Sequence, residues 1–484
     1  MNDRQLNRRG FLRTAGATAL LAGSAAASRV RAGQAATSEG RTRSALGTDS
    51  MADSTFAKLI ILDPAHFHAA LVQKQMLAGI ARRVSVYAPL GPDLLAYLKL
   101  IEQFNSRPDN PTSWELDIHC SPRSLEEMIA ARPGNVVVLA GRNRIKIGKI
   151  RTSLEAGLNV LSDKPWIIRA EDLPALEAAL ALADQQGLIA YDMMTERHEI
   201  TTRLQRELVN DPQVFGKAIS ADEQQPGVFM ESVHHILKTV AGIPNPRPPF
   251  FFDIHDQGEG LTDVGTHLVD LVPWTLYPNQ AISYRDDIKL RGAKRWPTAI
   301  TAAQFRQITG AATFTPELAP YVHGDRFDYY CNSQVDYLIR GVQVRLEVLW
   351  NWESPAGVDF HHAIYRGTNA SVEVRQTVKE NYRPELFVAP NDPTRHSDIL
   401  RAVRGRVESL QQTYPGVEAE SAGSEVRISI PDRYRVGHEA HFAQVVAEFL
   451  AYLKSPRSMP AWERSNMLAK YFVTTMGAQL GHAQ

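Results

Sequence analysis

Asp263 and His267 lie four residues apart in Gly260-Leu-Thr-Asp263-Val-Gly265-Thr-His267-Leu-Val-Asp270, a stretch that reads as the start of a helix. That spacing sets a carboxylate and an imidazole on one helical face, about one turn apart. Histidine is the side chain best suited to moving a proton near neutral pH, and a nearby carboxylate tunes its charge and orientation. A capping aspartate beside a satisfied histidine gives the same pattern. Other histidines cluster at His234-His235, His361-His362 and His438 with His441. No H-E-x-x-H or comparable spacing occurs among them, so no metal is expected. Each of these reads first as a satisfied core or surface histidine. His255 and Asp256 stand just before the Asp263 helix. Trp166, Trp350 and Trp352 are candidates either for stacking on a sugar face or for core packing.

The elements that must position such a site follow from periodicity. Lys58–Leu62, Arg83–Ala88, Asn135–Ala140, Asn159–Ser162 and Leu188–Asp192 are short apolar strand runs. Helical patterns lie between them, over Ala69–Ala78, Ile147–Ala156 and Leu173–Gln186. This alternation predicts a doubly wound parallel sheet, with ligands at the carboxyl ends of its strands. From Gly216 the pattern changes. Gly216–Asp222 reads as a strand and Met230–Ala241 as a helix carrying His234, His235 and Lys238. Alternating strands follow within Tyr329–Trp350, Ser371–Val378 and Glu425–Ile430. Helices follow at Ile399–Tyr414, His438–Leu453 and from Trp462. The boundaries predicted are a leader over 1–52, a first domain over 53–196 and a second over 197–484.

Composition bounds the function. The 484 residues are 44% hydrophobic and 22% charged, with a formal net charge of zero. That is ample for two domains and gives no electrostatic case for nucleic acid. The two cysteines, Cys120 and Cys331, exclude a cysteine-based zinc site and are expected unpaired. The N-terminal Asn7-Arg8-Arg9-Gly10-Phe11-Leu12, followed by a small-residue run over 15–27, resembles a twin-arginine export signal. The run is too short and too rich in glycine and alanine for a stable membrane span. The expected location is therefore the periplasm, reached through the twin-arginine export machinery, with no integral membrane segment after signal removal.

Two motifs carry a further resemblance. Gly157-Leu-Asn-Val-Leu-Ser-Asp163-Lys164-Pro165 resembles the A-G-K-H-V-x-x-E-K-P segment of the Gfo/Idh/MocA oxidoreductases. Asp263-Val-Gly-Thr-His267-Leu-Val-Asp270 resembles their D-x-G-x-H-x-x-D segment. The likeness is good over residues 58–275 and holds in outline beyond. It implies a Rossmann-type domain followed by an α/β domain with an open, predominantly antiparallel sheet. It also implies a small-molecule sugar or glycoside substrate and a homo-oligomer. His267 would be the acid/base, Lys164 the cation on the reacting hydroxyl and Asp263 an orienting, substrate-binding carboxylate. His235 and Lys238 would reach further substrate hydroxyls.

The resemblance implies NAD or NADP, and export argues for tight binding. The phosphate turn departs from the family's G-x-G-x-x-G. Here it reads Asp63-Pro64-Ala65-His66-Phe67-His68, with no glycine. The acid expected after the second strand is also missing. A dinucleotide would then be held by Asp63, Pro64, His66, Phe67, His68 and the helix-start amides. Asn143, Lys164 and Pro165 would complete that side. The leading expectation is hydride transfer at a secondary hydroxyl, possible at ring C3. The alternatives are a hydrolase or lyase using NAD transiently, and a non-catalytic glycan-binding protein that has lost the cofactor.

Overall fold

The computed structural model describes residues 55–220, 224–240, 243–244, 246–354 and 358–483. The export-signal reading lies outside them. Six strands form the first sheet: β1 (Leu59–Leu62), β2 (Arg83–Ala88), β3 (Glu115–Cys120), β4 (Val136–Leu139), β5 (Asn159–Ser162) and β6 (Ala190–Asp192). Their order is β3-β2-β1-β4-β5-β6, all parallel. This is the Rossmann-type arrangement, with the order reversing between β1 and β4. Every residue of β1 and β4 is buried, which accounts for their continuous apolar runs. The edge strand β3 has no fully buried position, so it leaves no such run in the sequence.

The crossovers carry α1 (His68–Leu71), α2 (Pro92–Ser106), α3 (Ser124–Ala131), α4 (Lys146–Glu155) and α5 (Leu173–Gln186), and α6 (Ile200–Val209) leads out of the sheet. The helix expected over Ala69–Ala78 is thus one turn long. Arg107 Nη2 donates to Lys74 O at 2.6 Å and Trp114 Nε1 to Gln73 O at 2.6 Å. These side chains give the carbonyls at 73 and 74 partners outside a helix.

Beyond a small hairpin, β8 (Thr239–Val240) with β9 (Ile243–Pro244), the second sheet contains β7 (Val228–Leu237), β10 (Ile288–Thr301), β11 (Val322–His323), β12 (Arg326–Ile339), β13 (Val342–Glu353), β14 (Phe360–Arg366), β15 (Ala370–Gln376), β16 (Glu385–Pro390), β17 (Glu418–Ala422) and β18 (Glu425–Ser429). The order is β10-β12-β13-β7-β14-β15-β16-β18-β17, with β11 on β12. Only the β13–β7 pair is parallel among these neighbours. The remaining helices are α7 (Gly260–Asp263), α8 (Gly265–Leu276), α9 (Ala302–Thr309), α10 (His396–Ser409), α11 (His438–Lys454) and α12 (Trp462–His482).

Two expectations are corrected here. Residues 230–237 form a strand, not a helix. Val228, Met230, Val233, Ile236 and Leu237 also suit a helical stripe, but hydrogen bonding between β13 and β14 decides the outcome. The strand expected over 216–222 reduces, among the described residues, to one bridge between Ala218 and Gly367.

The last helices return to the first sheet. Phe442, Val445 and Phe449 of α11 share a core with Leu59, Val84 and Val136. Met467, Leu468 and Tyr471 of α12 pack with Ile60, Val137 and Trp166 on its other face. Trp166 is fully buried there, so it is a core residue and not a sugar platform. Among the described residues, no helix is long and apolar enough to cross a membrane.

Candidate active site

The carboxyl end of β5 and the short helix α7 meet where the two sheets adjoin. Lys164 Nζ donates to Asp263 Oδ1 at 2.5 Å and to Asp263 O at 3.2 Å. Ninety-nine residues separate the two in sequence. Burial opposes ionisation of Asp263, but the Lys164 ammonium outweighs it and holds the carboxyl below its ordinary range. Gly260 lets α7 sit this close: a Cβ there would fall 1.9 Å from Cys331 O on β12. Lys164 and Pro165 lie just past β5, and Trp166 N donates to Tyr471 Oη at 3.0 Å, fastening this segment to α12.

His267 lies one turn further on, past Val264, which keeps helical φ −70° and ψ −40° between α7 and α8. No hydrogen bond joins Asp263 to His267 among those of the described residues. The carboxylate orients Lys164 instead. His267 Nδ1 is buried without a hydrogen-bond partner. Burial first, then the Lys164 charge, drives the imidazole pKa well below 6.5. The ring is neutral at physiological pH and able to accept a proton. Glu196, after β6, adds a carboxyl raised to about 7 by burial and by Glu199, with Lys164 opposing the rise.

The phosphate turn is firmly built. Asp63 adopts φ 45°, in the left-handed region. Its carboxylate accepts from Ser124 Oγ at 2.8 Å and pairs with Lys149, which neutralises the charge that would meet a phosphate. Pro64 is buried, whereas Phe67 is 49% exposed. Ala65 N and His66 N both donate to Ala140 O at 3.1 Å. A Cβ on Gly141 would stand 2.8 Å from His66 N, so that residue must be glycine for the turn to close on β4. Beside the turn runs an open groove of about 520 Å³ across the ends of β1, β2 and β4. Asp63, Pro64, Leu94, Glu126, Arg142 and Lys149 line it. Its volume suits a ligand of nucleotide size. Asn143 is buried and donates to Gln257 O at 2.7 Å, leaving Oδ1 unpartnered.

The second domain brings another cluster. His234 Nδ1 and His235 Nδ1 lie 3.0 and 3.3 Å from Asp359, and Lys238 Nζ lies 2.6 Å from it. Three candidate donors from β7 and the residue after it thus converge on one carboxylate. Trp350 is buried and stacks on His234 with centroids 4.9 Å apart. From α11, His438 reaches Thr195 Oγ1 at 3.3 Å and lies beside His68, with ring centroids 6.1 Å apart. His255 sits apart, against Tyr321. Sequence reasoning assigns no site role to Asp359 or His438, because both arrive through long-range folding. His361, on β14, is lowered to about 4 by burial, with His362 and His234 adding to the effect. The unfolded chain therefore takes up this proton first as pH falls. This group alone is expected to leave stability unaffected above pH 6.5 and to lower it by up to about 2 kcal/mol by pH 5. Urea unfolding of His361→Asn should show a smaller loss over that interval.

Asp270, which ends the motif, has a structural task. Arg197 Nε and Nη2 grip its carboxylate at 2.6 and 2.8 Å, and Arg197 Nη1 donates to Glu463 at 2.7 Å. Lys470 Nζ bridges Asp270 at 3.2 Å and Asp192 at 3.0 Å, and Tyr471 Oη donates to Asp192 at 2.7 Å. This buried network ties β6, α8 and α12 together. It fixes the helix that carries His267 relative to the strand ends that carry Lys164.

A family model described as "Putative oxidoreductase C terminal domain" matches residues 204–482. No curated protein matches the chain. A "putative oxidoreductase" from Parabacteroides merdae is 43% identical, with a TM-score of 0.86 over 88% of this chain and 98% of that one. At 14% identity, the 3-ketoreductase KijD10 from Actinomadura kijaniata, solved as a point mutant with TDP-benzene and NADP, has a TM-score of 0.54 over 88% of this chain and 97% of its own. A "putative myo-inositol dehydrogenase" from Sinorhizobium meliloti, 12% identical, has a TM-score of 0.51 over 88% of this chain and 98% of its own. The last two show the shared fold. The family model spans more than half of the chain, and the Parabacteroides protein matches nearly end to end, so this chain belongs to the oxidoreductase C-terminal domain family.

Proposed function

We propose that this protein is a periplasmic, twin-arginine-exported oxidoreductase of the Gfo/Idh/MocA type. It moves a hydride between a tightly bound NAD or NADP and a secondary hydroxyl of a sugar or glycoside, with ring C3 the favoured position. The observation that carries this reading is the Lys164–Asp263 pair beside a neutral His267, at the carboxyl end of a parallel sheet. The names of the ketoreductase and the inositol dehydrogenase agree with a sugar-like substrate. A nicotinamide ring would accept the hydride when bound. Lys149 and Arg142 in the groove, with Asn143, Lys164, Pro165 and the turn from Asp63 to His68, would hold the cofactor. His267 takes the hydroxyl proton on an imidazole nitrogen. The Lys164 ammonium stabilises the alkoxide as it forms, and Asp263 keeps that ammonium in place. Lys238 binds a substrate hydroxyl from the second domain, while His235, buried beside it, holds Asp359.

One observation favours a second reading. The amides of Ala65 and His66 are already satisfied by Ala140 O, which leaves the turn fewer donors for a phosphate. A glycan-binding protein without cofactor would tolerate that. Natively exported protein supplied with NAD or NADP and a panel of glycosides distinguishes the two. The proposal expects nicotinamide reduction, with turnover about 10²–10³-fold lower in Lys164→Met. Glycoside binding without reduction, unaltered in Lys164→Met, would favour the second reading.

A further inference from the structure

His66 and His68 lie two residues apart on the phosphate turn, and Asp163 joins them from the end of β5, ninety-five residues beyond His68. His68 Nδ1 is 3.2 Å and His66 Nδ1 3.5 Å from the same oxygen, Asp163 Oδ2. The three ligand atoms all lie within 4.8 Å of one another. Metal–ligand bonds of about 2.1 Å put neighbouring tetrahedral ligands roughly 3.4 Å apart, so this spacing needs little adjustment around an ion. His66 Nδ1 is buried and makes no hydrogen bond, a donor atom aimed at the carboxylate without a partner. The side chains are 18%, 10% and 4% exposed for His66, His68 and Asp163, which limits competition from bulk water.

The surroundings hold the three groups in place. The two imidazoles meet edge to face, with centroids 4.0 Å apart. Phe442 of α11 packs against His68 at 4.7 Å. The other oxygen, Asp163 Oδ1, accepts from Lys146 Nζ at 2.5 Å and Gly141 N at 3.3 Å, which fixes the carboxylate and leaves Oδ2 turned to the histidines. Partners of this kind orient ligating groups in metal sites.

We propose that His66, His68 and Asp163 bind one divalent first-row transition metal ion. Two imidazole nitrogens and one carboxylate oxygen form a donor set suited to zinc, iron, cobalt or manganese, with coordination positions left for water or a ligand. The shared carboxylate also neutralises Lys146, so affinity is set by two ligands and a partly engaged third. His66 and His68 also lie on the turn proposed to hold the dinucleotide, but metal binding has its own readout, the metal alone.

The experiment uses the full exported chain, stripped with chelator and titrated with Co(II) while visible d–d absorption and calorimetry are followed. One ion per chain is expected. His68→Ala and His66→Ala should each weaken binding at least about tenfold, while His119→Ala on the exposed edge strand leaves it unchanged. Thermal melts without metal report whether each variant folds. If either alanine variant does not, His66→Gln and His68→Gln replace them, with the same loss expected. Absence of saturable binding to the native chain, or equal binding by the folded His66 and His68 variants, would overturn the assignment.

Discussion

His267→Asn is expected to lower kcat by about 10²–10⁴-fold, the usual worth of a general base, while the protein stays folded. His267 is partly buried, and asparagine fills much of its volume without a buried ionisable ring. The pH profile gives the same account a second readout. The imidazole is held well below 6.5, first by burial and then by Lys164, so the base form persists into mildly acidic solution. The acidic limb of kcat/KM should therefore fall below pH 6.5 in the native enzyme and disappear in His267→Asn. An acidic limb at or above pH 6.5 would mean that another group supplies the base. Glu196, raised to about 7, is the group to examine in that case.

Arg197→Met is the second large effect. Arg197 is buried and makes three charge-assisted hydrogen bonds, two to Asp270 and one to Glu463. Removing it strands two carboxylates, with Lys470 as the remaining cation on Asp270. Breaking a buried pair by deleting one partner costs about 3–5 kcal/mol. Chemical denaturation should register that loss. The double variant Arg197→Met with Asp270→Leu should recover part of it, because the stranded charge on Asp270 is then gone. If Arg197→Met alone leaves stability unchanged, the network does not hold α8 against β6.

The parts of the site legible in sequence are those encoded locally. Lys164-Pro165 and Asp263 stand in short motifs, and the fold joins the Lys164 and Asp263 side chains in one ion pair. The apolar runs of β1, β4 and β5 announce a sheet covered on both faces. Two local readings fail for identifiable reasons. Val228–Leu237 satisfies both a helical and a strand spacing, and only its neighbours β13 and β14 decide between them. The helix after His68 ends after one turn, and the carbonyls beyond it, on Gln73 and Lys74, bond Trp114 and Arg107, remote in sequence. The motif spacing also suggests that Asp263 serves His267, whereas the fold pairs its carboxylate with Lys164. No local pattern could place His438 beside His68, Asp359 beneath His234 and His235, or Asp163 beside His66. Those meetings depend on α11 returning to the first sheet and on strand order in the second.

The central claim is that the Lys164, Asp263 and His267 site serves a dinucleotide lodged at the strand ends. It is tested most directly by acid extraction of natively exported protein, with the released nucleotide quantified against the chain. Tight binding predicts close to one NAD(H) or NADP(H) per chain, with less recovered from a Lys149→Glu variant. Recovery of no nicotinamide nucleotide from folded, natively exported protein would contradict the claim.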